Sequence, residues 1–168
     1  MTAFGRLARA RPKGYQAGRA AAPSGWAAGG DREPMIDVRA MCAIGQRGQL
    51  GLHGRLPWEG NTDPLYVEDV TRFFAVTQGH VLIAGPKTIE AVPDFAYRDR
   101  TIAIIRSHED PRAVLARYPG RRVYVGGGIA VWNVYAPFIQ QWDITRLPYD
   151  GEADRWFDPA WLVGRGRD

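Results

Sequence analysis

Two glycine-bearing stretches carry the spacing most suggestive of chemistry. In Val123-Tyr124-Val125-Gly126-Gly127-Gly128-Ile129-Ala130, a strand-like apolar run meets three glycines and then a helix-forming segment. Glycines there let the backbone approach a phosphate closely and take conformations closed to other residues. A helix start adds free N–H groups and a partial positive charge for an anion. The same pattern also serves a tight strand-to-helix turn that holds no ligand. Val81-Leu82-Ile83-Ala84-Gly85-Pro86-Lys87-Thr88 repeats the arrangement, with Gly85 closing a strand and the Thr88 hydroxyl within reach of a phosphate. Two such turns at the carboxyl ends of neighbouring strands form a crevice suited to a dinucleotide. Neither has the G-x-G-x-x-G or G-K-[ST] spacing, so an ordinary Rossmann or P-loop site is disfavoured.

The elements that must position these turns are legible as alternating patterns. Residues 36–44 form a nearly continuous apolar run, which predicts a central strand buried on both faces. Further strands are predicted over 80–84, 101–105, 122–125 and 142–147. Helices are predicted over 68–77, with Val70, Phe73, Phe74 and Thr77 near one face, and over 86–92, 110–118 and 129–138. Pro86 suits a first helical turn, where its missing N–H costs nothing. Strands alternating with helices predict an α/β fold with a mainly parallel central sheet flanked by helices.

The 168 residues suit one domain, over 35–168, preceded by a tail. Residues 1–34 are rich in Ala, Gly and Arg and show no hydrophobic periodicity, a composition expected to stay disordered. Their Arg-rich start has the look of a transit peptide, but Pro12, Pro23 and Gly29-Gly30 interrupt it. Met35 stands immediately before the first strand pattern and reads as the true start. The tail holds six basic and two acidic residues, which accounts for the whole net charge of +4. The remainder carries 16 of each sign. A phosphate-reading domain concentrates positive charge on itself, so a nucleic-acid partner is not expected. The lone cysteine, Cys42, excludes an internal disulfide and a multi-cysteine zinc site, and no metal is expected. It lies in an apolar run and reads as a buried, inert thiol. No apolar stretch approaches a membrane span, and a soluble protein of the reducing cytoplasm is expected.

Five motifs in order resemble the dihydrofolate reductase family across residues 36–157. They are Ala43-Ile44-Gly45 leading to Leu56-Pro57-Trp58; Asp69 with Phe73 and Thr77; Gly85 with Thr88; the triple glycine; and Thr145 in Asp143-Ile144-Thr145-Arg146-Leu147. The resemblance implies reduction of a dihydropterin by NADPH, with hydride delivered to C6 and a proton to N5. It implies that Asp69 binds the pterin N3–H and 2-amino group, which a carboxylate can do through two parallel charge-assisted hydrogen bonds. Thr145 would support that carboxylate and Trp58 would order a nearby water. Ala43, Val70 and Phe73 match positions facing the substrate, and Arg100 matches the arginine that pairs with folate's α-carboxylate. For the cofactor, Ala43 and Leu50 match positions flanking the nicotinamide. Gly85, Lys87, Thr88, Gly127, Gly128 and Ile129 fall in the glycine turns, and Arg106 with Ser107 matches the 2′-phosphate region. Each has a plain rival. Asp69 could be an acidic residue favoured at a helix start, Glu68 and Asp63 compete as the carboxylate, Phe73 could be core, and Arg100 could be a surface charge.

Three departures stand out. Residues 59–68 lengthen the gap between the tryptophan and the acid, at the edge of the pterin pocket. Pro86 and Ile129 stand where the family has basic residues, with Lys87 and Arg106 as compensating charges. The chain also ends soon after Trp161, so the long C-terminal hairpin is expected to be missing, leaving a sheet edge for a second subunit to cover. Together these resemble the members that take dihydromethanopterin in one-carbon metabolism. Ordinary dihydrofolate reduction is the near alternative. The reductase of riboflavin biosynthesis shares the fold but lacks the Leu-Pro-Trp and acid combination. A non-catalytic pterin-binding or nucleic-acid-binding protein is the alternative of another class.

Overall fold

A computed structural model describes residues 36–165. The readings of residues 1–34 as a tail and of Met35 as a start lie outside the described residues.

Five strands form one parallel sheet: β1 (Asp37–Ile44), β3 (Val81–Ala84), β4 (Thr101–Ile104), β5 (Arg122–Val125) and β6 (Gln141–Arg146), in the order β4-β3-β5-β1-β6. Two shorter strands, β2 (Gln49–Gly51) and β7 (Arg155–Trp156), pair antiparallel beside it. Successive side chains of a strand point to opposite faces, and the central strands bury both. Val81, Ile83, Val123 and Val125 belong to one core cluster, whereas Leu82, Ala84 and Tyr124 belong to another on the opposite side. This double burial is why the strands read as continuous apolar runs.

Helix α1 (Pro64–Thr77) covers the second cluster with Phe73 and Phe74. It begins a turn earlier than the predicted residue 68. The Asp63 carboxylate caps it, accepting from the Leu65 N–H at 3.0 Å, and Pro64 occupies the first turn. Half of the apparent insertion is therefore helix. Helices α2 (Pro86–Glu90), α4 (Pro111–Leu115) and α5 (Ile129–Tyr135) are shorter than the patterns predict. Pro137 turns the end of the last pattern into a 3₁₀ segment, Ala136–Phe138. A four-residue helix, α3 (Ala96–Asp99), was not predicted.

Past β6 the chain folds back instead of extending the sheet. Its last turn, Pro159–Arg165, brings Trp161 against Trp142, with rings stacked at 5.8 Å, and against Trp132 and Phe157. The Trp161 indole N–H donates to Asn133 Oδ1 at 2.8 Å. Among the described residues no strand lies beyond β6, and the sheet edge there is bare.

Candidate active site

The carboxyl ends of β3, β4 and β5 open into a cavity of about 600 Å³. Its lining includes Gly85, Lys87, Thr88, Arg106, Ser107, Gly128 and Ile129, so the two glycine turns and the expected phosphate region do meet. Gly127 lies just behind, buried, and joined to Gly128 by a cis peptide. Its φ is +96°, and a Cβ there would stand 2.9 Å from the Trp132 ring. Trp132 is itself fixed by donating to the Val125 carbonyl at 3.1 Å, so only glycine fits this turn. One basic lining residue escaped the sequence reading: Arg155, from β7. No local motif marks it; it arrives because β7 pairs with β2.

A second, much smaller void of about 20 Å³ lies where Ala43, Leu50 and Leu56 face Gly126, Gly128 and Trp132. Gly128 borders both spaces, so Ala43 and Leu50 do gather at the end of the larger cavity.

The acidic candidates separate by geometry. Asp63 is used as a helix cap, and Glu68 is exposed. Asp69 is half-buried in a cavity of about 400 Å³ between α1 and β6, and the Thr145 hydroxyl bonds its carboxylate. Burial pushes the Asp69 carboxyl above its ordinary value, with the Asp143 charge adding to the rise. The Thr145 bond and the Arg72 charge act the other way. Cys42, on β1, is an inert neighbour, its thiol pushed up to about 12 chiefly by burial and then by the charges of Asp69 and Asp143.

Trp58 lies on the other side of α1. It is buried against Tyr66 and Tyr149, with ring centroids 6.1 and 5.6 Å away. With Val70 it lines a separate groove of about 570 Å³, bounded by Glu59, Gly60, Asn61, Thr62, Tyr66 and Thr71. The inserted loop thus builds a wall that the sequence placed but could not shape. Tyr66 and Leu147 join Trp58 in one apolar cluster, and Leu147 also lines the Asp69 cavity.

Two further substrate candidates lie in the packed interior. Phe73 packs edge-on against Phe74 at 5.3 Å within the core. Arg100 is neither a surface charge nor open to a ligand: its side chain is 1% exposed. Its Nε donates to Asp99 at 2.8 Å and to the Ala96 carbonyl at 3.2 Å, and Nη2 lies 2.7 Å from Asp99. Nη1 donates to the Thr77 hydroxyl, and the guanidinium sits over the Phe74 ring at 5.2 Å.

Among the described residues there is no group of His, Cys, Asp and Glu fit to hold a metal, and no helix long and apolar enough to cross a membrane.

A doubly covered parallel sheet, a glycine-turn cavity at its strand ends and a carboxylate paired with a strand threonine define a dihydrofolate reductase-like α/β protein. A dihydrofolate reductase from Enterococcus faecalis, solved in complex with NADP(H), shares this fold with a TM-score of 0.58 and 22% identity, over 74% of this chain and 78% of that one. The dihydrofolate reductase of Staphylococcus haemolyticus is 22% identical over 73% of this chain and 76% of its own length. The dihydromethanopterin reductase of Methylorubrum extorquens is 82% identical over 130 residues, 77% of this chain and 96% of that protein. No protein-family model matches the chain. The chain belongs to the dihydromethanopterin reductase family.

Proposed function

We propose that this protein reduces dihydromethanopterin to tetrahydromethanopterin with NADPH, hydride going to C6 and a proton to N5. The observation that carries the reading is the 82% identity to a dihydromethanopterin reductase along nearly all of that relative's length.

The geometry supports it. NADPH fits the 600 Å³ cavity by the chemistry of its lining, where Lys87, Arg106 and Arg155 surround two glycine turns. Arg106 offers a planar donor fork suited to the 2′-phosphate. Bound there, the cofactor supplies the hydride, and the protein supplies positioning and electrostatics. Ala43 and Leu50 border the place for its nicotinamide, and Leu50 or Leu56 must yield for a ring to enter a void of about 20 Å³. Asp69, braced by Thr145, accepts from the pterin N3–H and 2-amino group and so fixes the ring's orientation. The groove between Trp58 and α1, walled by the inserted loop, receives what projects beyond the ring and sets the preference among pterins.

NADPH oxidation by the full chain, with dihydromethanopterin and dihydrofolate tested side by side, decides the matter. The expected result is a kcat/KM at least about tenfold higher with dihydromethanopterin, the worth of roughly 1.4 kcal/mol of differential transition-state binding. Preference for dihydrofolate would replace the substrate, and silence with both would sink the activity.

A further inference from the structure

Asp69 does not stand alone at the seam between α1 and β6. Arg72 follows it by three residues, nearly one helical turn, and so shares its side of the helix. Asp143 precedes Thr145 by two residues, so both project from the same face of β6. The result is two bonds side by side across one seam. Thr145 bonds Asp69, and Arg72 Nη2 meets Asp143 Oδ2 at 2.5 Å. All four residues line the same cavity of about 400 Å³. That cavity opens at the bare edge of the sheet, where among the described residues no further strand covers β6. A carboxylate that must meet a ligand there is exposed to solvent from the side unless something closes the seam.

We propose that Arg72 and Asp143 are positioning residues for the pterin-binding carboxylate: the bonded pair walls the seam beside Asp69 and keeps the charge around it balanced, so that Asp69 meets the pterin ionised and unclaimed. The inference rests on the reading of Asp69 as the pterin-binding group. Neither partner should act well without the other. An unpaired Asp143 places a second negative charge beside Asp69, which favours its neutral form. An unpaired Arg72 is one helical turn from Asp69 and free to take the acceptor oxygens that the pterin needs. The other charged or titratable groups facing this space are Glu68 on α1, Arg146 on β6 and the neutral Cys42 thiol on β1, with Tyr124 on β5 acting on Arg72. Among the described residues none of these bonds either member of the pair, so the balance beside Asp69 is set mainly by Arg72 and Asp143.

The test follows the Asp69 carboxyl carbon by ¹³C NMR in aspartate-labelled full-length protein across pH, for wild type, Arg72→Gln, Asp143→Asn and the double variant. The Asp69→Asn spectrum assigns the signal. Arg72→Gln should raise the Asp69 midpoint and Asp143→Asn should lower it, each by about half a unit, because both partners are partly exposed and screened. The double variant should return close to wild type, because the two opposite charges are removed together and their shifts cancel. In steady-state assays Arg72→Gln should lose activity mainly on the acid side. Asp143→Asn should raise the pterin KM at every pH, as Arg72 competes for Asp69. A merely structural brace would shift both single variants the same way or leave the midpoint fixed, and either result overturns the proposal. If Asp69→Asn itself keeps full activity, the reading of Asp69 fails instead, and the NMR shifts then describe a charge cluster outside the active site.

Discussion

The two halves of the site are built by different means. The cofactor side hangs on strand ends, two of them central: β3 delivers Gly85 and β5 the three glycines, while the edge strand β4 leads to Arg106. The two glycine turns follow strands that have a neighbour on either side, and a Cβ at Gly127 would stand 2.9 Å from the Trp132 ring. The pterin side is assembled at the periphery, from one helix, an edge strand and an inserted loop. A position enclosed by packed strands has few ways to change, because a shift there must be absorbed by a close-packed core. A position on an edge can be rebuilt. Two of the three departures, the 59–68 insertion and the bare β6 edge, fall on the peripheral half, while the third, Pro86 and Ile129 in place of basic residues, lines the cofactor cavity.

That contrast breaks most sharply at Asp69. Asp69→Asn should lower kcat/KM about 10²-fold or more while leaving NADPH affinity within about threefold, since it removes a charge-assisted acceptor from one half only. Stopped-flow turnover together with NADPH fluorescence titration checks both numbers. A variant that loses cofactor affinity as heavily as turnover would mean that the halves are not independent.

The opposite half is tested by Arg106→Ala. The side chain is exposed at the rim of the cofactor cavity, and its removal should weaken NADPH binding about tenfold while leaving NADH nearly unchanged. Pterin KM should hold. Equal losses for both nicotinamides would take Arg106 away from the 2′-phosphate and turn attention to Lys87 and Arg155.

The same division explains what could be read from the sequence alone. Central strands bury both faces, so β1, β3 and β5 announced themselves as apolar runs, and the glycine turns between strand and helix could be named before any coordinates. Val70, Phe73, Phe74 and Thr77, falling near one face, gave the helix away by spacing. What stayed hidden depends on distant pairing. β2 and β7 are three and two residues long and exist through each other, so Arg155 reaches the cofactor cavity without a local signal. The start of α1 lies inside the apparent 59–68 insertion, where the predicted helix over 68–77 does not reach, although an acidic cap before a proline is a helix-start signature. Arg100 gave no sign of its burial, because an arginine's partners are set by tertiary packing.

Arg100 also yields the smallest expected effect, and it sharpens the comparison from the substrate's side. Its Nε, Nη1 and Nη2 all have partners, Asp99 already neutralises it, and Phe74 lies across its face. A glutamyl carboxylate on a substrate would have to displace Asp99 from a side chain that is 1% exposed, exchanging one ion pair for another with no net gain in charge neutralised. Dihydropteroate and dihydrofolate share the ring and arylamine and differ by that glutamate. Assayed as alternative substrates of this protein, their kcat/KM values should therefore agree within about threefold, below 1 kcal/mol of discrimination. A tenfold or greater advantage for dihydrofolate would show that Asp99 gives way and that Arg100 opens to the ligand. In that case the peripheral half would retain a carboxylate subsite, and its preference among pterins would have to come from the Trp58 groove alone.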